Sequence, residues 1–190
     1  FGTSSLTSKL VREIDDRHVL WINITEKTGD EILDKIGDFY DDICQKSYDL
    51  YDEFKTRRCL LVFDDYYDVP DKIVDFLSDY MEVVEKTDNT KIILNSREGT
   101  PVYERFYQIE DLDDGKVKEM ELSPLNKKHA QELLGSDIEE ESLRRIMQFT
   151  KGSPLLLKLL KEGDREKLEE VSYLGKEQIS LLMFLKSKTK

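Results

Sequence analysis

The run Cys59-Leu60-Leu61-Val62-Phe63-Asp64-Asp65 constrains the fold of this chain more than any other stretch. Five apolar residues lead directly into two adjacent carboxylates. The run is too short for a helix core, and charge and turn-forming residues flank it. It reads as a strand buried on both faces, the pattern of a central strand in a parallel sheet. Such sheets bind ligands beyond the carboxyl ends of their strands, where Asp64 and Asp65 fall. Two acids at that edge can hold a divalent cation, directly or through water, and orient a water. They can equally cap the helix that follows, since Asp is favoured at N-caps and in first turns.

Composition narrows the setting. The 190 residues suffice for one sizeable core, or for one domain with an appendage. Charged residues make up 37% and hydrophobic ones 38%, which predicts a soluble protein with a heavily charged surface. A net charge of −12 and a pI near 4.8 argue against a chain-wide nucleic-acid footprint and leave room for a local basic patch. The two cysteines, Cys44 and Cys59, have no metal or disulfide spacing, and Cys59 reads as a small core residue. No signal peptide or membrane-length apolar run is seen, so a cytoplasmic location and no membrane partner are expected.

The remaining elements fall around the Cys59–Asp65 strand. Gly2-Thr3-Ser4-Ser5 precedes a helix spaced by Leu6, Leu10, Val11 and Ile14. Its first turn could face an anion with free N–H groups, or could be an ordinary Ser/Thr cap. A phosphate loop here would need a feeding strand, which is missing before Phe1. His18–Thr25 reads as a strand and Glu31–Phe54 as a helix with a break inside it. Pro70 begins a helix carrying Ile73, Val74, Phe76, Leu77, Tyr80 and Met81. Lys91–Leu94 is a further buried strand leading to Asn95-Ser96-Arg97. Arg97 thereby points to the edge of Asp64 and Asp65, either to pair with them or to bind phosphate oxygens. Glu98–Gly115 is loop-like, and Lys116–Leu122 alternates as an edge strand. Helices follow around Ala130 and Leu133, over Glu139–Phe149, after Pro154, and around Ile179–Leu185. Alternation of strand and helix predicts an α/β sheet flanked by helices, with a small helical part after it.

Several motifs stand in one order. Phe1-Gly2-Thr3-Ser4-Ser5-Leu6 lies where a Walker A loop ends, and Leu60–Asp65 has the form of Walker B, followed by Tyr66-Tyr67-Asp68. Ile92–Arg97 has the form of a sensor strand, Leu122-Ser123-Pro124-Leu125 that of the start of a helical lid, and Gly152-Ser153-Pro154 that of a Gly-x-Pro turn. In these respects residues 1–163 resemble the STAND class of P-loop ATPases, close to its NB-ARC and archaeal ATPase branches and related to AAA+ proteins. The resemblance implies a P-loop NTPase core over 1–122 without its first strand, a lid over 123–163, and a C-terminal helix over 164–190. Lys176–Leu185 in that helix resembles the start of a winged-helix domain.

The same resemblance implies ATP or ADP with Mg²⁺ as cofactors. Asp64 and Ser4 would serve the metal, and Gly2, Thr3, Ser4 and Ser5 the phosphates. Asp65 would position the attacking water, Arg97 would sense the γ-phosphate, and Gly152 and Pro154 would approach the adenine. Thr3 stands where the family has its lysine, and the lost charge implies on the order of 10²-fold weaker phosphate handling. The expected function is an ATP-binding, Mg²⁺-dependent switch with slow or weak hydrolysis that regulates signalling or transcription, working with a protein partner or by self-association. The alternatives are a non-catalytic pseudo-NTPase scaffold, or part of a winged-helix regulator that meets nucleic acid through a missing C-terminal domain.

Overall fold

A computed structural model describes residues 2–44, 47–67, 69–84, 89–96, 114–171 and 174–187. The chain divides into two compact units, one spanning Thr3–Met120 and the other formed mainly of Glu121–Lys190.

The first unit contains, in order, α1 (Thr3–Glu13), β1 (His18–Asn23), α2 (Gly29–Ile43), α3 (Leu50–Thr56), β2 (Cys59–Tyr66), α4 (Asp71–Val84) and β3 (Lys91–Ser96). The strands form a parallel sheet in the order β1-β2-β3. The apolar run is therefore its central strand, and Cys59 to Phe63 are each 3% exposed or less. Side chains alternate across a strand, so Leu61 and Phe63 share one face while Leu60 and Val62 take the other. Leu61 and Phe63 share a core with Ile32, Ile36 and Tyr40 of α2, Phe54 of α3, and Ile73, Leu77 and Tyr80 of α4. Phe54 is the hub of that layer, with ring centroids of Tyr40 and Tyr80 each 5.5 Å away in edge-on geometry.

The expected Glu31–Phe54 helix is two helices. Cys44 caps α2 in extended backbone, and Asp49 caps α3 by accepting from the N–H groups of Tyr51 and Asp52. The front of α2 carries a capping box. The Thr28 hydroxyl accepts from the Glu31 N–H, and the Glu31 carboxylate accepts from the Thr28 N–H at 2.8 Å.

One expectation fails where this unit ends. Lys116–Leu122 forms no strand: Met120 is 69% exposed, Val117 and Leu122 are only half-buried, and no described strand pairs with it. Among the described residues no strand lies beside it to receive its alternation. In α1 the buried residue is Thr7, whereas Leu6 and Leu10 are 47% and 45% exposed. The helix turns a hydroxyl face inward, because polar partners at the strand ends satisfy it there.

The second unit contains α5 (Lys127–Leu134), α6 (Glu140–Thr150), α7 (Pro154–Glu162), α8 (Arg165–Val171) and α9 (Lys176–Ser187). Ala130, Leu143, Ile146, Leu157, Leu160, Ile179 and Leu182 share one core. Gly152 sets the turn between α6 and α7 at φ +73, and its carbonyl accepts from the Leu125 N–H at 2.8 Å. A β-carbon on Gly152 would lie 2.3 Å from the Leu125 carbonyl oxygen. Pro154 opens α7 behind the Ser153 cap, where its missing N–H costs nothing.

Candidate functional site at the carboxyl edge of the sheet

Because the three strands are parallel, their carboxyl ends lie on one edge. Asn23 ends β1, Asp64 and Asp65 come near the end of β2, and Asn95 comes near the end of β3. Asn23 is the register partner of Asp64. On the other side Phe63 pairs with Leu94 and Tyr66 with Ser96, so Asp64 and Asp65 together oppose the single residue Asn95. This is a β-bulge, a device that re-aims side chains beside functional sites. Asp65 takes the extra turn at φ +54, left-handed backbone that a non-glycine residue adopts at a cost.

The bulge sends the two carboxylates to different neighbours. Asp64 is buried at 8% exposure and receives two hydrogen bonds on Oδ1: from the Ser4 hydroxyl at 2.7 Å and from Asn95 Nδ2 at 2.9 Å. Asn95, 6% exposed, accepts in turn from the Thr7 hydroxyl at 2.9 Å. Asp65 lies by Asn23, whose Nδ2 is 3.4 Å from Asp65 Oδ2. Asn23 Oδ1 accepts from the Thr25 N–H at 2.9 Å, which sets the side-chain amide. Ser4 and Thr7 are one helical turn apart, so one face of α1 carries both hydroxyls to this edge. No described cation forms an ion pair with Asp64.

Of the residues expected at a site, Ser4 and Asp64 meet directly and Asp65 is adjacent. Gly2 precedes α1 at φ +79, and Thr3 and Ser5 lie in the first helical turn. Gly152 and Pro154 belong to the other unit, where the close approach to Leu125 and the helix start account for both residue types. Arg97 lies outside the described residues, as do Phe1, Asp68, Asp111 and Asp113. Asn95, Thr7 and Asn23 did not stand out in the sequence. A usable signal existed only for Thr7, whose hydroxyl follows that of Ser4 at helical spacing.

The donor set suits a hard cation that keeps most of its water. A hydroxyl and a carboxylate 2.7 Å apart offer oxygen alone, and no group of three or more His, Cys, Asp or Glu that could hold a metal is found among the described residues. Magnesium is held in this way, by one or two protein oxygens together with phosphates and waters.

No protein-family model, curated protein or solved structure matches this chain. Among the described residues no helix is long and apolar enough to cross a membrane.

Proposed function

We propose that the chain is a P-loop-type nucleotide-binding module of the STAND kind, binding ATP or ADP with Mg²⁺ and acting as a switch with slow hydrolysis. The hydrogen bond from Ser4 to Asp64 carries the proposal. It joins the first turn of a helix to the carboxyl end of a central parallel strand, two features that serve phosphate and its cation. In this proposal Ser4 and Asp64 hold Mg²⁺, which supplies charge neutralisation for the phosphates. The N–H groups of Thr3, Ser4 and Ser5, after Gly2, receive phosphate oxygens. Asp65 orients the attacking water. Arg97 for the γ-phosphate, and Gly152 and Pro154 for the adenine, remain part of the proposal on their motifs alone. So do α9 as the start of a winged-helix domain and the protein partner or self-association that would report the switch.

Thr3 favours a second reading, a nucleotide-free scaffold. An uncharged side chain stands where a lysine would neutralise β- and γ-phosphate charge, so the cation must do more of that work. Titrating labelled ATP with and without Mg²⁺, then following phosphate release in wild type and Asp65→Asn, separates the two. Mg²⁺-dependent binding with release abolished by Asp65→Asn is expected. Absence of binding under both conditions overturns the proposal in favour of the scaffold.

A further inference from the structure

The buried amide of Asn95 sits between two side chains that determine its orientation. Asp64 as a carboxylate can only accept hydrogen bonds, so the NH₂ end of Asn95 must face it. The carbonyl end then faces Thr7, whose hydroxyl donates to it. Reversing the amide would set a carbonyl oxygen against a carboxylate, two acceptors with no proton between them. Thr7 is the one buried residue of α1, although the helix has leucines at 6 and 10. Burying a hydroxyl in place of a leucine has a reason if its hydrogen bond matters.

Both bonds to Asp64 end on Oδ1, one from Ser4 and one from Asn95. Among the described residues Oδ2 receives none. We infer that Asn95 and Thr7 are positioning residues of the cation site: Asn95, aimed by Thr7, fixes Asp64 by one oxygen and leaves the other for Mg²⁺ or its water. This rests on the reading of Ser4 and Asp64 as a magnesium-nucleotide site. Partners that orient a metal-holding group in this way change metal affinity without touching the metal.

The test uses fluorescently labelled ADP bound to the full chain. Affinity is measured in EDTA and then as Mg²⁺ is titrated, for wild type, Thr7→Val, Thr7→Ser and Asn95→Leu, with urea unfolding recorded on each. Thr7→Val keeps the shape of the side chain and removes its hydroxyl. It is expected to raise the Mg²⁺ midpoint about 10-fold or more while leaving the affinity in EDTA unchanged. Thr7→Ser restores the hydroxyl and is expected to return the midpoint to the wild-type value. Asn95→Leu should match Thr7→Val, and if it does not fold, the two Thr7 variants carry the test.

A wild type that binds no labelled ADP in either condition overturns the nucleotide site and this inference with it. A wild-type Mg²⁺ dependence that Thr7→Val leaves unshifted overturns the inference alone. An equal loss in EDTA and in Mg²⁺ does the same, since it marks a network that only holds the strand ends together.

Discussion

Ser4 and Asp64 are 60 positions apart in the chain and 2.7 Å apart in space, with the Ser4 hydroxyl donating to the Asp64 carboxylate. The bond ties the start of the first helix to the end of the central strand. Its partner atom on Asp64 is shared with Asn95, so the carboxylate keeps one hydrogen bond when the other is removed.

Ser4→Ala tests that tie. A hydrogen bond to an ionised group contributes more than one between neutral groups, but Ser4 is exposed, and water replaces it in the variant. Unfolding in urea should show a loss of about 1 kcal/mol. Mg²⁺-dependent nucleotide affinity should fall as well, whereas affinity in EDTA should change little. Unchanged stability together with unchanged Mg²⁺ dependence would mean the contact has no energetic role.

At position 65 stability and activity are expected to part. Glycine adopts φ +54 freely, and the relief offsets the chain entropy that glycine loses on folding. Asp65→Gly should therefore match wild type or exceed it by up to about 1 kcal/mol. Asp65→Val, β-branched in the same backbone, should lose about 1–2 kcal/mol. Both should lack the phosphate release proposed for wild type. Thermal unfolding that ranks Asp65→Gly below Asp65→Val would refute the account of the bulge.

Gly152→Ala is predicted to damage the helical unit severely. The new methyl would overlap the Leu125 carbonyl oxygen, and the backbone there lies at φ +73. Overpacking and the left-handed penalty together come to about 2–4 kcal/mol. Circular dichroism on heating should show the loss, and a variant as stable as wild type would contradict the geometry.

The front of α2 gives a pH dependence. Hydrogen bonds from the Thr28 N–H and then from its hydroxyl hold the Glu31 carboxyl below its ordinary value of 4.5. A carboxyl that is more acidic folded than unfolded stabilises above the unfolded value, and the contribution fades as pH falls through the folded one. The stability advantage of wild type over Glu31→Gln should therefore shrink on acidification below about pH 4.5. Urea unfolding at several pH values checks this, and an advantage that grows in acid would contradict it.

What the sequence disclosed followed the range of the forces involved. β2 was legible because a buried central strand must be apolar on both faces, and its carboxylates marked the edge where parallel sheets of this kind offer a ligand site. The break after Ile43 was visible in the faltering apolar period. Lys116–Leu122 misled because alternation describes a strand only when some face exists to receive it. The helix Arg165–Val171 escaped notice because seven residues with few apolar positions show no period. Thr28 and Glu31 carried a capping signature three residues apart that could have placed the start of α2.

The site divided along the same line. Ser4, Asp64 and Asp65 belong to local motifs. Asn95 and Thr7 do not, because the worth of a buried polar side chain depends on a partner 31 or 88 positions away. The register shift that separates the two carboxylates is likewise a property of two strands, and neither strand announces it alone.

The bulge also bears on how this protein would respond to breeding in the laboratory. A lineage selected only for heat tolerance would come upon position 65 early, since glycine suits that backbone better than aspartate. If Asp65 orients the attacking water as proposed, each such winner would match or exceed wild-type stability and lack phosphate release. Under that proposal, selection for robustness and selection for phosphate release pull this one codon in opposite directions.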